Sequence, residues 1–396
     1  MSDPARKPRH PKTVGFWMDL ESSSWLELAM YAGCQKHARE AGWRLVLDPS
    51  VNRLHRWRPG RPHYDGILAR ATREMAEAAH KTGVPLVNLC PNSPVVENLP
   101  SVVPDGGAAG ILAAEHLAGR GLRSFGYLGP RRQRDADQQF GGFRDTLAGQ
   151  GFECMPFHYP RTLLAGRARL WEKFAVGMHQ WLASLRPPAG IFVHQDLVCR
   201  LLIDFCSARG LSVPGDVAIT GCFNDEIICM ASGPSLTSID MGYECIGHRA
   251  AKLLDDLISG KVPPRGRVVR VPPTRLVTRE SSDIFASSDP LVARAMRYIA
   301  SHNVQFPDVP DIVSEIGVSR RTLERRFQKA VGRSIAGETL RLRLNRAKRR
   351  LASGDVLLKT VAREAGFRTA SHFSRVFTRA TGVTPSQYRA ERQVGT

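Results

Sequence analysis

DIVSEIGVSRRTLERRFQK, residues 311–329, lays out a short helical pattern from Asp311 to Ile316, a turn at Gly317-Val318-Ser319, and a second helical pattern from Arg320 to Lys329. Ser319 is placed to cap the second helix, and the glycine suits the turn before it. Leu323 and Phe327, four residues apart, share a face that must be buried, which leaves Arg321, Glu324, Arg325 and Gln328 on other faces. The same layout returns in VAREAGFRTASHFSRVFTR (361–379): Val361 to Ala365, the Gly366-Phe367 turn, then Ala370 to Arg379 with Phe373 and Phe377 again four apart. Between the two units, SIAGETLRLRLNRAKRRLASG (334–354) reads as one long helix. Taking Ala336 to Leu351 as helical gives a rod of roughly 24 Å. Two helices held on such a rod can enter successive major grooves of DNA, which recur about every 34 Å.

The charge points the same way. Of the net +19 on the 396 residues, residues 290–396 carry 21 Lys and Arg against 8 Asp and Glu, a net +13, so only +6 belongs to everything before them. A basic module attached to a nearly neutral partner suits a polyanion such as double-stranded DNA. A composition of 42% hydrophobic and 23% charged residues is that of a globular protein. No stretch approaches the roughly 20 apolar residues of a membrane span. The basic N-terminus meets Asp19 and Glu21 before any apolar run of signal-peptide length, so a cytoplasmic protein is expected. The eight cysteines form no CxxC pair and have no ligand-like histidine spacing, so reduced thiols are expected, with no zinc site and no cofactor.

From Thr13 to about Pro273, short apolar runs alternate with amphipathic ones, the pattern of a parallel sheet covered by helices. Strands are predicted at 14–18, 43–47, 66–69, 86–90, 124–128, 189–194 and 217–222, and helices at 25–41, 108–119, 140–150, 170–185, 197–209 and 247–258. The fold class is α/β. Ligands of such sheets bind outside the carboxyl ends of the strands. The loops there carry Asp19, Ser22 to Trp25, Arg70, Arg131, Arg132, His194, Asp196 and Asn224 to Glu226. Polar groups beside an aromatic surface suit a polyhydroxylated ligand, whose hydroxyls need partners and whose C–H face needs an apolar plane. A solvated loop or helix cap accounts equally well for each residue taken singly.

The segments AAGILAAEHLAGRGLRSFGYLGP (108–130), FGGFRDTLAGQGF (140–152), GLSVPGDVAITGCFNDE (210–226) and PSLTSIDMGYECIGHRAAKLLDDLISG (234–260) together resemble the effector core of LacI-type repressors. That resemblance implies a periplasmic-binding-protein-like domain over 13–280, with one lobe at about 14–121 plus 236–275 and the other at about 122–235. Three positions depart from the family: Phe223 precedes Asn224 and Asp225 where Asp is usual, Gln139 stands in place of Arg, and Arg70 replaces an acidic residue. Arg70 and Phe223 suit a modified or acidic sugar.

SSDIFASSD (281–289) reads as a polar linker, placed at 281–290, and opens on a C-terminal domain at 291–392. GVSRRTLERRF (317–327), Arg343 with Ala347 and Leu351, AREAGF (362–367), SHFSRVF (371–377) and TGVTPSQYR (381–389) resemble the AraC/XylS DNA-binding domain, an all-α double helix-turn-helix with its units at 311–329 and 360–379. The resemblance implies that Arg321, Glu324 and Arg325 face bases from the first recognition helix and Ala370, Ser371, Ser374 and Arg375 from the second. Arg320 and His372 suit either the phosphate backbone or a solvated helix face. Arginine can bond guanine O6 and N7 together, and glutamate can accept from cytosine N4. The order of the two modules and the junction VPPTRLVTRESSD (271–283) are similar to those of the xylose-operon regulators. The resemblance implies a homodimeric, non-enzymatic transcription regulator of promoter DNA, controlled by xylose or a related carbohydrate, with RNA polymerase as a partner if it activates. Two alternatives stay open: an N-terminal domain that only dimerises or senses a non-sugar ligand, and a DNA-directed enzyme, for which no activated nucleophile stands out.

Overall fold

The computed structural model describes residues 11–17, 25–47, 64–163, 168–261, 266–284, 289–301, 307–352 and 356–393. The chain first builds β1 (Thr13–Trp17), α1 (Trp25–Ala41), β2 (Arg44–Leu47), β3 (Gly66–Ala69), α2 (Arg73–Thr82), β4 (Leu86–Asn88) and β5 (Ser101–Pro104). It then crosses to a second sheet through α3 (Gly106–Ala118), β6 (Ser124–Pro130), α4 (Arg134–Ala148), β7 (Cys154–Tyr159), α5 (Ala168–Ser184), β8 (Ala189–Val193), α6 (Asp196–Ala208), β9 (Val217–Cys222), α7 (Glu226–Cys229) and β10 (Thr237–Asp240). α8 (Tyr243–Ile258) and β11 (Val268–Val271) return to the first sheet, and β12 (Arg275–Val277) goes back to the second. The orders are β11-β5-β4-β3-β1-β2 and β12-β10-β9-β8-β6-β7. All pairings are parallel except β10 with β12.

The chain therefore crosses between lobes three times, and the lobe boundary falls earlier than the resemblance placed it. α3, expected in the first lobe, packs on α4 and on β8, β9 and β10 of the second sheet. β10 also belongs to that second sheet. The reason lies in glycine placement. A Cβ on Gly110 would fall inside contact distance of the Gln139 carbonyl, and one on Gly142 would strike Gly107, so α3 and α4 meet backbone to backbone. Of the strands missing from the predicted set, β5, β10, β11 and β12 have only three or four residues, and β7, with Pro156 in it, lies at a sheet edge with Met155 and Pro156 exposed.

The expected linker is also different at its start. Glu280–Ser282 form a single 3-10 turn, and Ser281, Ser282 and Asp283 are buried. Their hydroxyls are spent on the second sheet: Ser281 Oγ donates to the Ile219 carbonyl at 2.6 Å and accepts from Thr237 N at 2.9 Å, and Ser282 Oγ reaches Thr237 Oγ1 at 2.8 Å. Residues 285–288 lie outside the described residues.

The C-terminal part is all helical: α9 (Pro290–Ser301), α10 (Val309–Ile316), α11 (Arg320–Val331), α12 (Ile335–Ala352), α13 (Leu358–Glu364), α14 (Ala370–Thr381) and α15 (Pro385–Gln393). It has two small cores, one around Ile312, Leu323, Phe327 and Ile335 and one around Ala347, Leu351, Val361, Phe373 and Phe377. α12 contributes to both, so it is the rod the sequence called for.

In the first lobe, α1 and α8 repeat the glycine contact: a Cβ on Gly33 would overlap the Glu244 carbonyl, and one on Gly247 the Met30 carbonyl. Gly247→Ala is expected to destabilise the chain by about 1–3 kcal/mol, the scale of overpacking a tight interface. Gly141→Ala, on α4 with open space around the position, is expected to stabilise it by about 0.5–1 kcal/mol. Thermal and urea unfolding check the pair, and shifts of the same sign would contradict the backbone contact.

Candidate functional site

The loops at the carboxyl ends of the two sheets meet in an aromatic wall. Trp25 opens α1 and Tyr243 opens α8, and their rings stand edge to face at 6.2 Å. Phe223, just after β9, lies 6.1 Å from Tyr243 and 5.4 Å from the His194 ring. Phe223 and Asn224 hold φ values of +98° and +56°. Two consecutive non-glycine residues in left-handed geometry store strain of the kind that collects at ligand clamps.

Behind Phe223 the polar side of the wall is a closed network. His194 Nδ1 faces Gln139 Oε1 at 3.0 Å, and its Nε2 lies 3.3 Å from Gln133 and 3.9 Å from the Asp135 carboxylate. Gln139 Nε2 donates to Cys222 Sγ at 3.4 Å. Burial lowers the His194 pKa against the pull of Asp135 and Asp137, which favours the neutral ring. The lobes touch here as well: Arg134 donates to the Ser93 carbonyl at 3.3 Å, and Asp135 N to Asn92 Oδ1 at 3.3 Å. Arg70, half-buried at the end of β3, and Asp135 from the facing lobe both act electrostatically on the Cys90 thiol.

Of the predicted effector residues, Trp25, Gln139 and Phe223 are brought together. Asp196, Asn224 and Asp225 instead hold the strained loop. Asp196 is 2% exposed and accepts from Asp225 N at 2.9 Å; burial pushes its carboxyl up to about 6, partly offset by bonds to the charged form. Asn224 Oδ1 accepts from Arg279 at 2.8 Å, and Asp225 caps α7 by accepting from Ile228 N. Arg131 is exposed and donates to the His158 carbonyl at 3.2 Å, on the β7 side of the sheet. Asp19 lies outside the described residues. Sequence reasoning missed Tyr243, Arg134 and Arg279. The only signal for Tyr243 was its position at a helix start beside the chain's second crossing.

At the other end of the molecule, both recognition helices have the predicted build. Ser319 accepts from Thr322 N and Thr369 from His372 N, and each preceding turn has a glycine at positive φ, Gly317 and Gly366. Leu323, Phe327, Phe373 and Phe377 are fully buried. Arg320, Arg321 and Arg325 on α11 and Ser371, His372 and Arg375 on α14 are exposed, and Ser374 is half-buried. Two expected base-facing residues have other partners. Glu324 accepts the Ile335 N–H at 3.3 Å, capping the start of α12, and Ala370 packs against the second small core. Arg326, another basic residue of α11, pairs with Asp289 at 3.2 Å.

Between the two ends sits the junction. Asp283 receives Arg120 of α3 at 3.1 Å and Arg341 of α12 at 2.9 Å, with Asn345 at 3.3 Å. Arg341 also grips Glu338 at 2.6 Å, and Arg346 faces Glu280 at 3.6 Å. Burial alone would raise the Asp283 pKa, but Arg341 and Arg120 outweigh it and hold the carboxyl below its usual range.

Comparison with known proteins gives a periplasmic binding protein-like domain over residues 114–282 and a helix-turn-helix domain over residues 312–391. The chain is 27% identical over 332 residues to the xylose operon regulatory protein of Escherichia coli K12, covering 82% of this chain and 83% of that one. Its counterpart in Haemophilus influenzae is 28% identical over 74% of this chain and 75% of its own length. Among solved structures, a xylose-binding transcription activator superimposes with a TM-score of 0.73 at 23% identity, over 96% of this chain and 98% of that one. A regulator solved with cellobiose gives 0.55 at 22% identity, over 68% of this chain and 84% of that one. Two α/β lobes of this topology, followed by a double helix-turn-helix strung on one helix, place the chain in the AraC-type transcription regulators that carry a periplasmic-binding-protein-like domain.

Proposed function

We propose that this regulator binds a small carbohydrate between its lobes and, as a cytoplasmic homodimer on promoter DNA, converts that binding into contact with RNA polymerase. The observation that carries the ligand reading is the aromatic wall of Trp25, Tyr243 and Phe223 backed by His194 and Gln139. An apolar plane beside fixed donors and acceptors matches the two kinds of surface a sugar offers. The names of its relatives, which refer to xylose and cellobiose, support the same class. Phe223 and Arg70 distinguish this cleft and favour a sugar with a modified or acidic substituent. An enzymatic reading finds little support in the thiols. Burial raises the pKa of Cys34, Cys90, Cys154, Cys199, Cys206, Cys222 and Cys229, which disfavours a thiolate nucleophile.

The same reading supplies a route from ligand to DNA. The junction is bonded to the second lobe through Ser281, Ser282 and Asp283, and α12 is bonded to the junction through Arg341, Asn345 and Arg346. A ligand that resets one lobe against the other therefore moves α12, and both recognition helices with it. A ligand acts only through such a difference between states.

A thermal-shift panel of pentoses, hexoses and uronic acids is expected to show stabilisation by one class, lost in Trp25→Ala. No shift with any sugar would leave the domain as a dimerisation core or a sensor of another ligand. Arg341→Gln is expected to keep operator affinity within a few fold while abolishing the ligand's effect on it, measured by fluorescence anisotropy. An unchanged ligand response would remove the junction from the route. Arg325→Ala is expected to cost about 1–3 kcal/mol on the preferred operator and to relax specificity at one base pair. A uniform loss across all sequences would reassign it to phosphate.

A further inference from the structure

Beside the close approach of α1 and α8 at Gly33 and Gly247, three side chains of the first lobe converge: His37 and Glu40 from α1 and His248 from α8. Their donor atoms all lie within 4.8 Å of one another. His248 Nε2 is 3.3 Å from Glu40 Oε2, across 208 residues of sequence. The two imidazoles stand nearly perpendicular at 5.5 Å, and Trp43 packs edge-on against His37 from another side at 5.0 Å. His37 Nε2 is out of contact with solvent and has no hydrogen-bond partner among the described residues. A buried ring nitrogen almost always has one.

We propose that His37, Glu40 and His248 form a binding site for a divalent transition-metal ion of the zinc type, with water as the remaining ligand. Two imidazoles and one carboxylate are a set such ions accept in tetrahedral geometry, at ligand distances of about 2.0–2.2 Å. The edge of that tetrahedron is about 3.3 Å, the separation that already holds between His248 and Glu40. Bound through Nε2, the ion would give the orphaned His37 nitrogen its partner. Glu40 and His248, 55% and 33% exposed, leave a path to solvent for entry and for the water ligand. If the pair were an ordinary surface ion bridge, that nitrogen would stay buried for no return.

The site would also act on the cleft. α1 starts at Trp25 and α8 at Tyr243, so an ion pinning the two helices fixes the spacing of two rings of the aromatic wall.

The test uses the full chain after EDTA treatment, titrated with Co²⁺ by visible absorption and with Zn²⁺ by competition against a chromophoric chelator. Wild type is expected to take one ion per chain with a tetrahedral Co²⁺ spectrum and a raised thermal midpoint. His37→Gln and His248→Gln are expected to weaken binding about 10-fold or more, a scale that outer-shell changes alone can reach, with unchanged metal-free thermal midpoints. Should either variant fail to fold, Glu40→Gln, on an exposed side chain, must still weaken Co²⁺ and alter its spectrum. Equal affinity and the same spectrum in wild type and Glu40→Gln, or in wild type and the His37→Gln/His248→Gln pair, overturns the proposal.

Discussion

A carboxylate as enclosed as that of Asp283 would ordinarily keep its proton, because burial removes the water that stabilises its charge. Here two guanidiniums reverse the balance, and they come from different parts of the molecule, Arg120 from the effector domain and Arg341 from the DNA-binding domain. Removing one partner from such a cluster costs more than forming it gains, since the buried charge is left uncompensated. The attachment between the two halves is therefore set less by the length of chain joining them than by one ionised group that both must serve. The folded-state pKa of Asp283 lies below its ordinary value, so this contribution is present above the carboxylate range and is lost only as pH falls through that lowered value.

The three crossings between lobes decide what that attachment can sense. Because β12 and the 3-10 turn after it return to the second sheet, the junction is bonded directly to that lobe. At the opposite side of the cleft, Arg134 and Asp135 of the second lobe hold Ser93 and Asn92 of the first. Phe223 stands beside those contacts in strained backbone, its ring against His194 of the second lobe and Tyr243 at the start of α8.

Much of this was legible from residue spacing. Leu323 with Phe327 and Phe373 with Phe377 place the recognition helices without any knowledge of the fold, because a four-residue apolar interval has one reading on a short basic helix. The lobe boundary was less accessible. It depends on Gly107, Gly110 and Gly142 letting α3 seat against α4, a contact between backbones that apolar periodicity does not record. Asp196 and Glu324 are instructive in the same way. Each occupies a position suited to recognition, and each is taken by an N–H from another segment, Asp225 and Ile335, which only the folded chain brings near. The expectation of no metal rested on cysteine motifs and their spacing to histidine, which do not register His37 and His248 meeting across two helices.

The basic excess of the C-terminal domain has to be divided before it is read as DNA affinity. Arg326, Arg341, Arg343, Arg346 and Arg350 face Asp289, Asp283 and Glu338, Asp308, Glu280 and Glu364. Those cations hold the domain together and hold it to its neighbour. A cation already paired within the protein releases no counterion from a phosphate unless the pair first breaks, so the salt dependence of binding should count the exposed arginines and lysines, not the net charge. Among the exposed ones, Arg320, Arg321 and Arg325 share one helix with capping Ser319, and Arg375 shares the other with Thr369. The caps fix each helix start, and the basic residues lie along α11 from its first turn and in the middle and last turn of α14. The charge free to meet a phosphate is thus smaller than the composition implies, and the paired cations serve the packing of the helical domain and its contact with the effector domain.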